Sequence, residues 1–302
     1  MNSINNTLYS YEYYFRFLDK LLNKKKLPSS IIFNGERGIG KRTFLLHFFT
    51  YLQLNQNEKD VYLKSFLIKS NFLFNKTLNN EIPHIRVIQN NLKSKNINIE
   101  QIRNIISFCS YASFNEKPRF ILILNAENLN LNASNSLLKI LENPPPNTYF
   151  FLTKSSNGIV NNTISSRCFQ FNIKNTRSKN DYVFKNLLND FDVKAPVKSE
   201  IFDKYDTPGS KINRILYLIE HNLKNVSLVD LIIYCLNDYT KTKNIVSVIY
   251  GVEFAKKFFH TKIKFNFKKN YKLYNLFIIS VNHFMKFNSD LSVSVKILNK
   301  VN

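Results

Sequence analysis

The sequence predicts a parallel α/β domain followed by a purely helical region. Up to about residue 172, short apolar runs alternate with segments of helical periodicity, which is the pattern of buried strands and crossover helices. Beyond that point the strand pattern stops and only helical periodicity remains. A chain of 302 residues has room for two domains or three.

Four short apolar runs are predicted to be strands: residues 30–33, 84–88, 119–124 and 149–153. The third of them has the length and unbroken apolar character of a central strand in a parallel sheet. Helices are predicted at 43–52, at 98–112 and from about 132 to 143. Asn132 is expected to cap the last helix, and Pro144 ends it because proline cannot donate the helical hydrogen bond.

The segment 172–180 is polar and charged, which predicts a linker or hinge. After it, apolar residues recur at intervals of three and four, for example Ile212, Ile215 and Ile219, as on the buried face of a helix. We therefore predict domains at 1–172, 173–222 and 223–302, of which the second and third are all α.

Composition predicts a folded cytoplasmic protein. Hydrophobic residues make up 44% of the chain, yet no apolar run approaches the ~20 residues of a membrane span. The first residues are polar and lack the charged start and apolar core of a signal peptide. Cys109, Cys168 and Cys235 are far apart in sequence, which indicates neither a disulfide framework nor a zinc site.

The chain is strongly basic, with 43 Lys+Arg against 21 Asp+Glu and a formal net charge of +22. Such an excess is typical of proteins that bind phosphate-rich partners. Lys, Asn, Ile and Phe are encoded by A/T-rich codons, so an A/T-rich genome also accounts for a high lysine content. The positive charge alone is therefore only weak evidence for a nucleic-acid partner. Residues 256–269 interleave aromatics with lysines, as single-strand binders do, but an amphipathic segment with buried Phe and solvated Lys gives the same pattern and is the preferred interpretation.

A glycine-rich loop follows the first predicted strand and precedes a helix. Its residues Gly35, Gly38, Gly40 and Lys41 have the spacing of a phosphate-binding loop. Glycines let backbone N–H groups close around phosphate oxygens at a positive helix N-terminus, and the lysine reaches the terminal phosphates. The loop therefore predicts a nucleotide site, at least in shape.

Two positions argue against hydrolysis at this loop. The hydroxyl that ligates Mg²⁺ normally follows the lysine, but Arg42 stands there and Thr43 comes one place later. The acidic pair expected at the end of the central strand is replaced by Leu124 and Asn125, with Glu127 two residues beyond. An active enzyme that uses Thr43 and Glu127 in shifted roles is the alternative.

The order of several motifs resembles the clamp-loader branch of the AAA+ proteins. The motifs are Leu27-Pro28, the glycine loop, IEQIR at 99–103, NSLLKILENPP at 135–145 and Ser166-Arg167-Cys168. The resemblance covers about residues 20–172. It implies an AAA+, RecA-like sheet domain followed by helical lid and collar domains, the collar serving for oligomerisation.

Within that branch the sequence resembles the delta-prime subunits, whose Walker motifs are often degenerate and which act as a rigid stator. Gamma/tau subunits instead keep the metal hydroxyl and the acidic pair. The resemblance implies a hetero-oligomer of DNA polymerase III with gamma/tau and delta subunits, which loads the sliding clamp on primer-template DNA during replication. In that assembly this chain would be a non-hydrolysing subunit.

The resemblance also implies roles for individual residues. Arg167 would act in trans as an arginine finger on the ATP of a neighbouring subunit, and Thr153 occupies the first sensor position. Ile212 stands where hydrolysing relatives place the second sensor arginine, and Arg214 is a poor substitute by register. Relatives carry a four-cysteine zinc module after the loop helix, but residues 52–82 contain no cysteine, so no zinc is expected.

Two other functions remain open on sequence grounds. One is an active gamma/tau-type ATPase of the same assembly, against which positions 42, 124 and 125 argue. The other is a stand-alone basic nucleic-acid-binding protein with a vestigial phosphate loop. Weak binding of ATP or ADP without hydrolysis is compatible with the preferred interpretation, and direct contact with DNA is left open.

Overall fold

The chain folds into two compact units. The computed structural model describes residues 5–68, 71–90, 96–110, 117–193, 201–203, 206–223, 226–287 and 290–301. Unit 1 comprises Met1–Asp192 together with Thr207–Ser210, and unit 2 comprises Val193–Asp206 together with Lys211–Asn302. The three-domain division at 172 and 222 stays a prediction.

Unit 1 is built on a sheet of parallel strands, as the sequence predicts. In its described part the strands are β1 Ser30–Gly35, β2 Ile85–Ile88, β3 Arg119–Ile123, β4 Thr148–Ser155 and β5 Phe169–Asn172. Their order is β2-β3-β4-β1-β5, and every neighbouring pair is parallel. The four predicted strands are confirmed, and β5 is an addition that the sequence analysis did not foresee.

Helices cover the sheet of unit 1. They are α1 Glu12–Asn23, α2 Lys41–Tyr51, α3 Gln56–Ser65, α4 Asn71–Leu78, α5 Ile99–Ser110, α6 Leu131–Glu142, α7 Asn162–Arg167 and α8 Arg177–Asp190. The predicted end of the α5 helix at 111–112 lies outside the described residues.

Two local predictions in unit 1 are wrong. The cap of α6 is Asn130, whose side-chain oxygen accepts a 2.8 Å hydrogen bond from the Ala133 N–H, so Asn132 lies inside the helix. The polar segment 172–180 is not a linker throughout, because Thr176 caps α8 by accepting from the Lys179 N–H. In both places the residue with an extended backbone just before the first turn is the one that caps the helix.

The sheet is buried on both faces. Ile31 and Phe33 pack into one hydrophobic cluster and Ile32 into another, because successive side chains of a strand point to opposite sides. Phe33 stacks on Phe151 of β4 with ring centroids 5.7 Å apart. Each fully buried Phe contributes about 1.5–3 kcal/mol. This core holds the carboxyl ends of the strands in fixed positions.

Unit 2 is helical in its described part, which confirms the prediction for the C-terminal region. Its helices are α9 Pro208–Glu220, whose residues through Ser210 belong to unit 1, α10 Leu228–Thr242, α11 Ile245–Ile263, α12 Phe267–Phe287 and α13 Ser292–Asn299. Cys235, Phe254, Phe259 and Phe277 are fully buried in its core. Within the described part of the chain, no helix combines the length and apolar character that crossing a membrane requires.

Candidate functional site

The residues of the predicted phosphate loop lie at the carboxyl ends of the parallel strands. β1 ends at Gly35, and the chain turns through the glycine loop into α2. Gly35 pairs in register with Ser155 of β4, two residues beyond Thr153, so the ends of β1 and β4 meet there. β3 ends beside them at Ile123. This is the edge where parallel α/β sheets bind ligands.

Two glycines give the loop its shape. Gly38 has φ +78° and Gly40 has φ +110°, backbone conformations that residues with a Cβ rarely adopt. At Gly38 a Cβ would also lie 2.5 Å from the hydroxyl oxygens of Thr207 and Ser210. The glycine pattern seen in the sequence therefore has a steric cause at both positions.

Lys41 is buried at the start of α2 and bonded to its own loop. Its Nζ donates to the carbonyl oxygens of Gly35 at 2.7 Å and Glu36 at 2.9 Å. Burial lowers the pKa of this lysine to about 8, while the carboxylates of Glu127 and Glu36 partly oppose the shift. To reach a phosphate, this ammonium group must exchange carbonyl acceptors for phosphate oxygens.

A second segment, 207–210, closes on the outside of the loop. Thr207 Oγ1 donates to the carbonyl oxygen of Arg37 at 2.7 Å, and the Gly209 N–H donates to the carbonyl oxygen of Gly38 at 2.9 Å. A Cβ on Gly209 would lie 2.5 Å from that carbonyl oxygen. Nothing in the sequence indicates that this segment contacts the loop.

The position after Lys41 carries a guanidinium instead of the hydroxyl that is usual there. Arg42 occupies the second position of α2, half-buried, and burial lowers the pKa of its guanidinium. Thr43 follows it in the first turn and is also half-buried. A guanidinium donates hydrogen bonds and cannot ligate a cation. Among the described residues, no group of three or more His, Cys, Asp or Glu side chains is placed to hold a metal.

The end of β3 carries no carboxylate in the usual register. Leu124 is buried, and Asn125 adopts φ 56° while its N–H donates to Thr153 Oγ1 at 2.9 Å. Glu127 lies in the 3-10 turn that follows and accepts a 3.1 Å hydrogen bond from the Ser155 N–H. Its other oxygen is buried and makes no hydrogen bond within the described residues. Glu127 is thus engaged by the backbone, and its carboxylate, like that of Glu36, raises the pKa of Lys41 against the effect of burial.

Arg167 lies at the amino ends of the strands, opposite the ends that carry the loop. It ends α7 just before β5, whose Phe169 pairs with Ile31 near the start of β1. From Ile31 to Gly35 the strand rises about 13 Å, at ~3.3 Å per residue. The structure therefore does not bring Arg167 to the phosphate loop of its own chain.

The Arg167 side chain is held at the surface. Its Nη2 lies 2.6 Å from Glu142 Oε1, and its Nη1 donates to the Thr163 carbonyl oxygen at 2.9 Å. The two charged side chains are 37% and 45% exposed. A partly exposed pair of this kind contributes only ~0–1 kcal/mol, so the arginine can leave it at little cost.

Comparison with known proteins identifies the family. Residues 11–177 match the family model described as DNA polymerase III, delta subunit. The chain belongs to this family. That membership confirms the resemblance to DNA polymerase III clamp-loader subunits that the sequence motifs indicate.

Curated relatives agree with this membership. The chain is 31% identical over 186 residues to the DNA polymerase III subunit gamma/tau of Mycoplasma genitalium, covering 61% of this chain and 29% of the relative. It is 35% identical over 82 residues to the delta' subunit of Haemophilus influenzae, covering 27% and 25%. The chain thus spans less than a third of these relatives. A gamma subunit-related protein of Thermotoga maritima aligns over 96% of this chain and 90% of its own, with 16% identity and a TM-score of 0.42.

Two residues near the motifs of this family, Cys168 and Arg214, are buried. Cys168 is buried, and burial raises the pKa of its thiol to about 12, so it stays protonated at neutral pH. Arg214 is buried within unit 2, where it lies 2.8 Å from Asp206, 3.3 Å from Glu253 and donates to the Ile201 carbonyl oxygen at 3.1 Å. Both groups are accounted for without a nucleotide.

Proposed function

We propose that the chain is a delta-prime-type subunit of the DNA polymerase III clamp loader, without ATP hydrolysis of its own. In this role it supplies Arg167 to the ATP site of a neighbouring subunit and helps to load the sliding clamp on primed DNA. The observation that carries the proposal is the placement of two features at opposite edges of one sheet. One edge has a phosphate loop in which Arg42 follows the lysine, and the other has an arginine whose partners among the described residues, Glu142 and Thr163, lie at the surface.

The phosphate loop supports a binding role more than a catalytic one. The backbone N–H groups of Gly38 and Gly40 and the Lys41 ammonium group would hold a nucleotide phosphate. Mg²⁺ would neutralise charge during phosphoryl transfer, but it needs a hydroxyl and a carboxylate that Arg42 and Asn125 do not provide. The site therefore favours weak binding of ATP or ADP, or none, over hydrolysis.

The purified chain is expected to show no Mg²⁺-dependent ATP hydrolysis above background, because the metal ligands are missing. Phosphate release should be measured for the wild type and for Lys41→Ala, with equal background rates expected for both. The rival function is an active gamma/tau-type ATPase, which the electrostatic effect of the Glu127 carboxylate on the pKa of Lys41 favours. Steady turnover that disappears in both Lys41→Ala and Glu127→Gln would establish that rival.

Arg167→Ala is expected to lower the ATPase of the assembled loader that clamp and DNA stimulate, while the variant still folds and assembles. In single-site enzymes an arginine finger contributes ~10³–10⁵ in rate. Only one of several composite sites loses its arginine here, so the loss should be partial. Arg177→Ala, which removes an exposed arginine of α8, is the matched control and should have no effect. Unchanged stimulated ATPase and loading in Arg167→Ala would reduce Arg167 to a surface residue.

The proposed assembly includes gamma/tau and delta subunits, with the sliding clamp and primer-template DNA reached through the complex. We assign the lid to 173–222 and the oligomerisation collar to 223–302. In support, α12 exposes apolar side chains at Leu276, Ile279 and Phe287.

The rival to this assembly role is a stand-alone basic nucleic-acid-binding protein. That rival predicts that the chain elutes alone in gel filtration with candidate partner subunits.

A further inference from the structure

The junction of α11 and α12 has an unusual charge pattern. Residues 254–289 contain no Asp and no Glu. The same segment contains eight lysines: Lys256, Lys257, Lys262, Lys264, Lys268, Lys269, Lys272 and Lys286. A continuous segment with cations alone generates a positive potential that attracts polyanions.

The structure divides the aromatic residues of this segment into two groups. Phe258 and Phe259 are buried in the core of unit 2, as the amphipathic interpretation expects. Phe265, Phe267 and Tyr271 are instead 87%, 67% and 50% exposed. Burial of aromatics therefore explains only the first half of the pattern. We call the exposed half, residues 264–272, the 264–272 surface.

The exposed aromatics are not displaced core residues. The side of α12 that packs on the bundle carries Asn270, Phe277, Val281 and Phe284, all buried. Phe267 and Tyr271 are one turn apart on a different side of the helix. Their rings stack with centroids 5.7 Å apart and an interplanar angle of 3°. They form a flat apolar platform that faces solvent.

Lysines surround this platform. Lys264, Lys268, Lys269 and Lys272 are all exposed. Within the described residues, the structure assigns no ion pair to any of these four side chains, so their ammonium groups remain available to an external anion.

We propose that the 264–272 surface binds single-stranded DNA. Exposed rings stack on unpaired bases, and the interleaved lysines contact the phosphates between them, which is how sequence-independent single-strand sites work. Duplex DNA would present its phosphates but not its base faces. An anionic membrane fits less well, because the exposed rings of residues 264–272 alternate with lysines and do not form the continuous apolar stripe of an inserting helix.

The test is fluorescence anisotropy of labelled oligo(dT) with the full chain. The oligonucleotide should exceed the ~4–16 nucleotides that such a site occupies. Phe267→Ala with Tyr271→Ala should weaken binding about tenfold or more and leave the salt dependence unchanged, because it removes stacking alone. Lys268→Ala with Lys269→Ala should lower the slope of log K against log salt by about 1.4, since two phosphate contacts are lost.

Controls separate this site from general charge. Lys24→Ala with Lys26→Ala removes the same charge from an exposed part of unit 1 and should leave both affinity and slope unchanged. Circular dichroism checks that each variant folds. Phe265→Ala, at the most exposed ring, repeats the stacking test if the double variant does not fold.

Several results would overturn the proposal. Equal weakening by the Lys24 and Lys26 variant would mean that binding follows net charge. Duplex of the same length bound as tightly as oligo(dT), or oligo(rU) bound more tightly, would exclude a single-stranded DNA site. Binding to phosphatidylserine vesicles that depends on Phe267 and Tyr271, without oligo(dT) binding, would assign the surface to membranes.

Discussion

Leu276→Glu, Ile279→Glu and Phe287→Glu together are expected to abolish stable association with gamma/tau-type ATPase subunits and to leave the fold intact. These side chains are 44%, 58% and 59% exposed, and their spacing places them on one side of α12. Solvent-exposed apolar residues that cluster on one helix face mark protein interfaces. Glutamates buried there without partners oppose association strongly. Gel filtration of the mixed subunits measures co-elution.

Leu131→Glu is the matched control for this experiment. Leu131 is 71% exposed and begins α6, where an acidic side chain is favourable to the helix. This variant should co-elute as the wild type does. Because the proposed interface is apolar, wild-type association should also survive moderate salt, which would weaken a purely electrostatic complex. Co-elution of the triple variant would show that this face of α12 is not the assembly interface.

Arg214→Leu is expected to destabilise the protein by about 3–5 kcal/mol. Arg214 is 5% exposed and pairs with both Asp206 and Glu253, so its loss leaves two partly buried carboxylates without their cation. Chemical denaturation followed by circular dichroism measures the change in the free energy of unfolding. This outcome would show that the arginine nearest to the second sensor position has a structural role.

Two variants control for the loss of a positive charge. Arg177→Ala removes a 72% exposed arginine that lies 3.9 Å from Asp181, and it should change stability by no more than ~0.5 kcal/mol. Arg214→Lys keeps the charge but loses the planar guanidinium, and its loss of stability should lie between those of Arg214→Leu and Arg177→Ala. If Arg214→Leu instead keeps full stability and lowers nucleotide affinity, Arg214 is a sensor after all.

The strands could be predicted because they are buried on both faces. Such strands are continuous apolar runs, and 30–33 and 119–124 stand out from the polar segments around them. β5 was missed because Phe169, Gln170 and Asn172 are exposed and only Phe171 is buried, which leaves no apolar run. The start of α8 was missed because the residues around Thr176 are polar, and a polar run is equally typical of a loop and of a capped helix start.

The candidate site was predictable where its residues are contiguous. The loop from Gly35 to Lys41 is one motif, so its glycines and its lysine could be assigned directly. Contacts between distant residues could not be assigned, as the bonds of Thr207 to Arg37 and of Arg167 to Glu142 show. No local pattern encodes them, because they depend on how the chain packs around the sheet.

The pairing of Arg167 with Glu142 means that the proposed arginine finger exchanges one anion for another when it acts. The guanidinium already has a carboxylate at 2.6 Å, so any external anion must compete with a charge of minus one. A carboxylate or a chloride ion in solution offers no gain in that competition, whereas a nucleoside triphosphate concentrates several negative charges on neighbouring oxygens. Under the proposed role, Glu142 is thus the anion that a nucleotide phosphate replaces at Arg167. Because the pair contributes only ~0–1 kcal/mol, it biases the arginine slightly toward polyphosphate and does not prevent the exchange.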